Sequence, residues 1–318
     1  MNASYLARLL LQCLNSFFAA YLLFSIAVHF LTPVAVCYAE RVRPAIGTRL
    51  LLSLRLLPLG AALYAVAAIA LPSYLRLEGE MGPERIGVRA LGLAVLALAC
   101  WIRPLVRSVC AVSKSSKFLK YARRVARRYQ TAPDIGILTG RQPHIAVAGL
   151  FRPQVFVSEA AVKLFAPDEL NVILRHESAH QKSRDNLKRL LLLALPDALP
   201  CVNFTRPLER AWKRLVEWSA DDHAAGGDSE SSILLARALV SFARHQPHES
   251  KCVLATSFVD DTSDLERRVE RLLGHARPMQ PSPRAYFASS MLASAILGAA
   301  LQFADLDNAH RLLELLSR

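Results

Sequence analysis

The chain of 318 residues carries a formal net charge of +13 and is 53% hydrophobic, above the apolar share of ordinary soluble domains, with the excess gathered into charge-free runs. So basic a balance raises nucleic acid as a partner, but the cations collect directly beside an apolar run, where anionic lipid and membrane topology account for them, and no direct nucleic-acid binding is expected. Six cysteines, Cys13, Cys37, Cys100, Cys110, Cys201 and Cys252, have no metal-binding spacing and fall mostly in or near apolar segments, so they imply no disulfide framework.

In chain order, no charged residue occurs from 16 to 39, from 56 to 75 or from 285 to 304. Each run can cross the roughly 30 Å hydrocarbon core as a helix. A fourth candidate, 88–111, has a short uncharged core, and Arg89, Arg103 and Arg107 would have to snorkel. Buried core helices of soluble proteins rarely stay uncharged for so long, and the first run is too long for a signal peptide and lacks a cleavage site. His29 within that run is expected as a neutral imidazole bonded to a neighbouring helix. Residues 1–112 are therefore read as a membrane region with three spans, 113–284 as a cytoplasmic domain, 285–304 as a fourth span and 305–318 as a short extracytoplasmic tail.

Orientation follows the cations. The link holding Arg41, Arg43, Arg49 and Arg55 is expected inside, whereas the next mixes Glu78, Glu80 and Glu84 with its arginines. Lys114, Lys117, Lys120, Arg123, Arg124, Arg127 and Arg128 follow the third span with no acid among them. Both termini are thus expected outside.

A basic helix is predicted over 114–130, then short strands over 135–138, 145–148 and 154–157, separated by Gly140, Pro143, Gly149 and Pro153. The strands either offer an edge to an extended peptide or only cover the helix that follows. That helix starts at Pro167, with Asp168 and Glu169 at its positive end, and carries His176-Glu177-Ser178-Ala179-His180. Residues i and i+4 share a helix face, so both imidazoles can aim at one ion, while Glu177 stands about 100° away, suited to take a proton from a water activated at the metal. A bare match of five residues also arises by chance. Catalytic zinc takes three protein ligands, so a third is sought downstream, and Glu217 in the segment 216–224 offers it. Beyond the metal helix, 187–201 is expected to be a helix packed against the membrane or the membrane bundle, 210–225 and 231–244 to be helical, 245–264 to be an irregular, flexible or cleavable loop, and 265–273 a short basic helix.

HExxH, Asp185 five residues after the second His, Glu217-x-x-x-Asp221, and Gly149-Leu150-Phe151-Arg152-Pro153-Gln154-Val155-Phe156-Val157 upstream together resemble the gluzincin membrane peptidases of the HtpX and BlaR/MecR types. These motifs span about 133–226. The resemblance implies a mostly α-helical membrane protein with an α+β zincin-like domain, His176, His180 and Glu217 as ligands to one Zn2+, and Glu177 as general base. It implies Asp221 as the carboxylate orienting a liganding imidazole, and a structural role for Asp185 at the helix end. His223 ranks below Glu217 as a ligand, and Ser178 replaces the family's usual apolar residue.

The activity so implied is a zinc endopeptidase of a bacterial-type inner membrane, acting on a protein substrate such as a BlaI/MecI-like repressor in transmembrane signalling. The 14 residues after the last expected span are too few for a penicillin-binding sensor domain, so β-lactam sensing is not expected. An HtpX-type quality-control protease and a catalytically silent membrane receptor or scaffold are the alternatives.

Overall fold

The computed structural model describes residues 3–77, 88–129, 132–196, 205–245, 256–257 and 262–274, together with the single helical positions Arg284, Phe287, Met291 and Ala295. Most of the fourth expected span, the tail and most of the 245–264 loop lie outside the described residues.

The chain starts with α1 (Ala3–Arg41) and α2 (Pro44–Tyr64), which continues through a π-helical segment, Ala65–Ala70, into α3 (Leu71–Leu77). With α4 (Val88–Val125), this makes three helices long and apolar enough to cross a membrane among the described residues. The expected cationic link between the first two spans is corrected. Only Val42 and Arg43 separate the helices, because Pro44 fits the first helical position, where its missing N–H costs nothing, and Arg49 and Arg55 propagate helix well.

The second correction concerns α4. Its 38 residues reach about 57 Å, nearly twice a hydrocarbon core, so the apolar run and the basic stretch from Lys114 are one helix, and the boundary expected at 112 falls inside it. It ends at Val125, short of the expected 130, because Arg127–Tyr129 pairs antiparallel with the next strand as β1.

The strands β2 (Ala132–Leu138), β3 (Ile145–Ala148), β4 (Gln154–Ser158) and β5 (Thr256–Ser257) complete a sheet of order β1-β2-β4-β3-β5, in which only β2 and β4 run parallel. β5 falls in the segment expected to be irregular, where two residues pair with β3, too short a strand to leave a periodic signal. One sheet face, with Ile145, Val147, Val155 and Val157, packs on the helices α5 (Glu159–Leu164), α6 (Pro167–Ser183) and α9 (Ser229–His245). The other, with Phe156 and Ala148, packs on Phe118 and Ala122 of α4. Cover on both faces explains why these strands read as apolar runs rather than alternating patterns. At Gly136 a Cβ would come 2.7 Å from the Phe156 ring, so the glycine marks a close approach within the strand.

The remaining helices are α7 (Asp185–Ala194), α8 (Arg206–Ala225) and α10 (Thr262–Leu272). α8 lays Leu208, Ala211, Trp212, Leu215 and Val216 against Val28, Val36, Ala39 and Leu51 of α1 and α2. Arg55, expected in a loop, is 1% exposed at this seam. Its guanidinium donates to Glu209 of α8 (3.0 Å), the Tyr21 hydroxyl (3.3 Å) and the Pro196 carbonyl (3.4 Å). A buried cation persists only with such partners. Glu40 at the end of α1 also pairs with Arg214 of α8.

Candidate metal centre

The centre is built from two helices. α6 enters as its sequence dictates, with Pro167 in the first turn and the Glu169 carboxylate accepting from the Ala166 N–H at 3.2 Å, which satisfies one free donor of the first turn. Its apolar stripe, Leu170, Val172 and Ile173, faces the sheet core, and the helical period then turns His176, Glu177 and His180 inward, all buried. α8 brings Glu217 and Asp221 one turn apart on its own inner face, also buried.

The Nε2 atoms of His176 and His180 are 3.1 Å apart, and Glu217 Oε2 lies 3.5 Å from the first and 3.7 Å from the second. Ligands at 2.0–2.1 Å from a tetrahedral zinc are separated by roughly 3.3 Å, so the triangle has the size such an ion requires. Two imidazoles and a carboxylate are also a donor set that zinc accepts. Both oxygens of Glu177 are buried without a hydrogen-bond partner among the described residues, an arrangement too costly for a carboxylate with nothing to bind. The residues present fit a zinc ion with a water beside Glu177.

Each imidazole has a carboxylate behind it. Asp221 Oδ1 lies 3.0 Å from His176 Nδ1, and Asp185 Oδ2 lies 2.9 Å from His180 Nδ1. A proton held on Nδ1 leaves the Nε2 lone pair for a metal. Asp185, expected in a structural role at the helix end, is the first residue of α7 and makes this contact from there. Arg184 between α6 and α7 adopts φ 52°, a left-handed turn that reverses the chain so that the first residue of α7 faces the last turns of α6. Asn186, next in line, donates to the carbonyls of Val147 (2.9 Å) and Gly149 (3.1 Å) and ties this turn to β3. His223 is exposed and 3.5 Å from Lys182, outside the cluster. Ser178 is half-buried.

Burial lifts the Glu177 carboxyl above its ordinary range, and Glu217 adds to this against the opposing pull of His176, His180 and Arg268. Burial alone would strip the charge from His180, but Glu217 and the hydrogen bond with Asp185 outweigh it and push its pKa up to about 10. Burial likewise opposes the charge on Glu217, yet His180, the hydrogen bond with His176 and Arg268 hold it well below the usual carboxylate range.

Two arginines at the centre were not legible in the sequence. Arg268 of α10, in the segment read as a plain basic helix, is 3% exposed. It grips Asp221 through Nε (2.9 Å) and Nη2 (2.7 Å), and its Nη1 lies 3.3 Å from Glu217 Oε2. Arg189 of α7 lies 3.5 Å from Glu217 Oε1. For Arg268 the only available hint was an arginine on a helix with few apolar residues, indistinguishable from a solvated face, whereas Arg189 adjoins the apolar run of α7.

Fold and site together define a helical membrane protein with a buried His-His-Glu cluster beside a small sheet. Residues 86–272, from α4 to α10, match the model of the BlaR1 peptidase M56 family, and the chain belongs to that family. It is also similar to a protease HtpX homolog of Archaeoglobus fulgidus, 32% identical over 77 residues. That match takes in 24% of this chain and 23% of the relative, so the chain spans about a quarter of that relative's length.

Proposed function

We propose that this protein is a membrane-tethered zinc endopeptidase with His176, His180 and Glu217 as ligands and Glu177 as general base. The observation carrying this reading is the triangle of ligand atoms 3.1 to 3.7 Å apart beside a fully buried carboxylate that lacks a hydrogen-bond partner among the described residues. Zinc, when bound, supplies Lewis-acid polarisation of the scissile carbonyl and makes water a nucleophile near neutral pH. Glu177 takes the proton of the attacking water and returns it to the leaving amine. Asp221 and Asp185 hold the imidazoles in the liganding tautomer.

The portion 113–284 faces the cytoplasm in this reading, with both termini outside. Support comes from the cations of α4 beyond its apolar part and from the Glu40–Arg214 pair, which puts the end of α1 on the same side as the metal centre. The substrate in this reading is a cytoplasmic regulator, which the sequence resemblance to the BlaR/MecR type implies; membership of the M56 peptidase family supports a protein or peptide substrate. The local likeness to an HtpX homolog favours a second reading, quality control of membrane proteins.

Glu177→Gln should retain one zinc per chain and lose proteolysis. Metal analysis paired with comparative proteomics of wild type and variant cells checks both readings. A single stabilised repressor supports signalling, many stabilised membrane proteins support quality control, and turnover by the variant removes Glu177 as the base.

A further inference from the structure

The proposed ligand set leaves unexplained why a fully buried arginine from a third helix stands at the metal centre. Arg268 spends all three guanidinium nitrogens on two carboxylates of α8 that lie four residues apart. Nε and Nη2 form a fork on Asp221, and Nη1 lies 3.3 Å from Glu217 Oε2, the oxygen that faces both imidazoles. Arg189 lies 3.5 Å from the other oxygen, Oε1.

We infer that Arg268 is a positioning residue of the metal centre. It locks Glu217 with Oε2 toward the ion and, through the same planar group, fixes the Asp221 carboxylate that orients His176. One guanidinium therefore sets two of the three ligands, one directly and one through Asp221. The inference deepens the zinc reading and rests on it. Neutralising Asp221 alone would require only a charge. The geometry requires more, because a fork and a third nitrogen in one plane are features of arginine that lysine cannot reproduce. Arg271, one turn further along α10, supplies an internal control. It grips the exposed Asp222 at 2.6 and 2.9 Å, and so docks the same helix on α8 without touching a ligand.

The test uses the full-length protein purified in detergent, with zinc affinity measured by chelator competition and the visible spectrum recorded after Co2+ loading. Removal of residues that orient metal ligands lowers affinity roughly 10- to 100-fold. Arg268→Gln and Arg268→Lys should both fall in that range and shift the Co2+ bands, while Arg271→Gln matches wild type. Near-ultraviolet circular dichroism of the metal-free proteins reports folding, and Arg268→Lys, which keeps the buried charge, decides the matter if Arg268→Gln does not fold. Wild-type affinity and spectrum in Arg268→Lys would overturn the inference while leaving the zinc site standing. A wild-type protein that holds no zinc would overturn both.

Discussion

The imidazoles of His176 and His180 are matched in their backing but not in its origin. Asp221 approaches the first from α8, and Asp185 approaches the second from the start of α7. If both orient ligands, Asp185→Asn should weaken zinc binding by about 10- to 100-fold in a competition titration with little loss of fold, since the amide keeps the shape but not the charge. The proton on His180 makes a further prediction. With its pKa near 10 in the metal-free site, zinc must displace a proton, so apparent affinity should climb as pH rises toward 10. The sign for stability is opposite. A raised histidine pKa stabilises the metal-free fold below the ordinary value of 6.5 and loses that contribution as pH rises through about 10. Thermal unfolding of chelator-treated protein across that window measures it. The pairing of His176 with His180 was legible because helical period alone brings residues four apart together, whereas Glu217, on a different helix, was reached only through the family resemblance. Arg268 was not, since it meets Asp221 across 47 positions and only tertiary packing distinguishes a buried arginine from a solvated one.

Among the elements, the long helices were legible in their apolar parts and misread at their ends. A change from apolar to basic composition at Lys114 marks where the surroundings change, whereas α4 continues because its backbone hydrogen bonds are indifferent to that change. The two-residue turn after α1 was missed for the related reason that charges inside α2 resemble a loop. Gly47 shows how closely those helices meet: a Cβ there would stand 2.5 Å from the Ala39 carbonyl oxygen and 3.1 Å from a Leu215 methyl. Gly47→Val should therefore force α1, α2 and α8 apart, by roughly 1–3 kcal/mol or more given the clash with backbone, read as a lower unfolding temperature in detergent.

For the whole molecule, the seam between membrane helices and α8 is ionic as well as apolar. The Arg55–Glu209 pair in it is unequally sheltered, with the side chain of Arg55 1% exposed and that of Glu209 32% exposed. Removing the carboxylate strands a buried cation, whereas removing the cation leaves a carboxylate that can turn to water. Glu209→Gln should consequently destabilise the protein more than Arg55→Met, and a thermal-shift comparison in detergent tests the order. An equal or reversed order would mean that Tyr21 and Pro196 suffice for Arg55.

That seam gives the division of the ligand set a mechanical meaning. His176 and His180 belong to a helix clamped between sheet and α9, while Glu217 rides on a helix bolted to α1 and α2. In the proposed zinc centre, an ion bound to all three would be a cross-brace between these two sets of helices, which a tilt of the membrane helices would stretch. On that reading a membrane event would reach the chemistry through the packing of α8 on α1 and α2, with no moving lid.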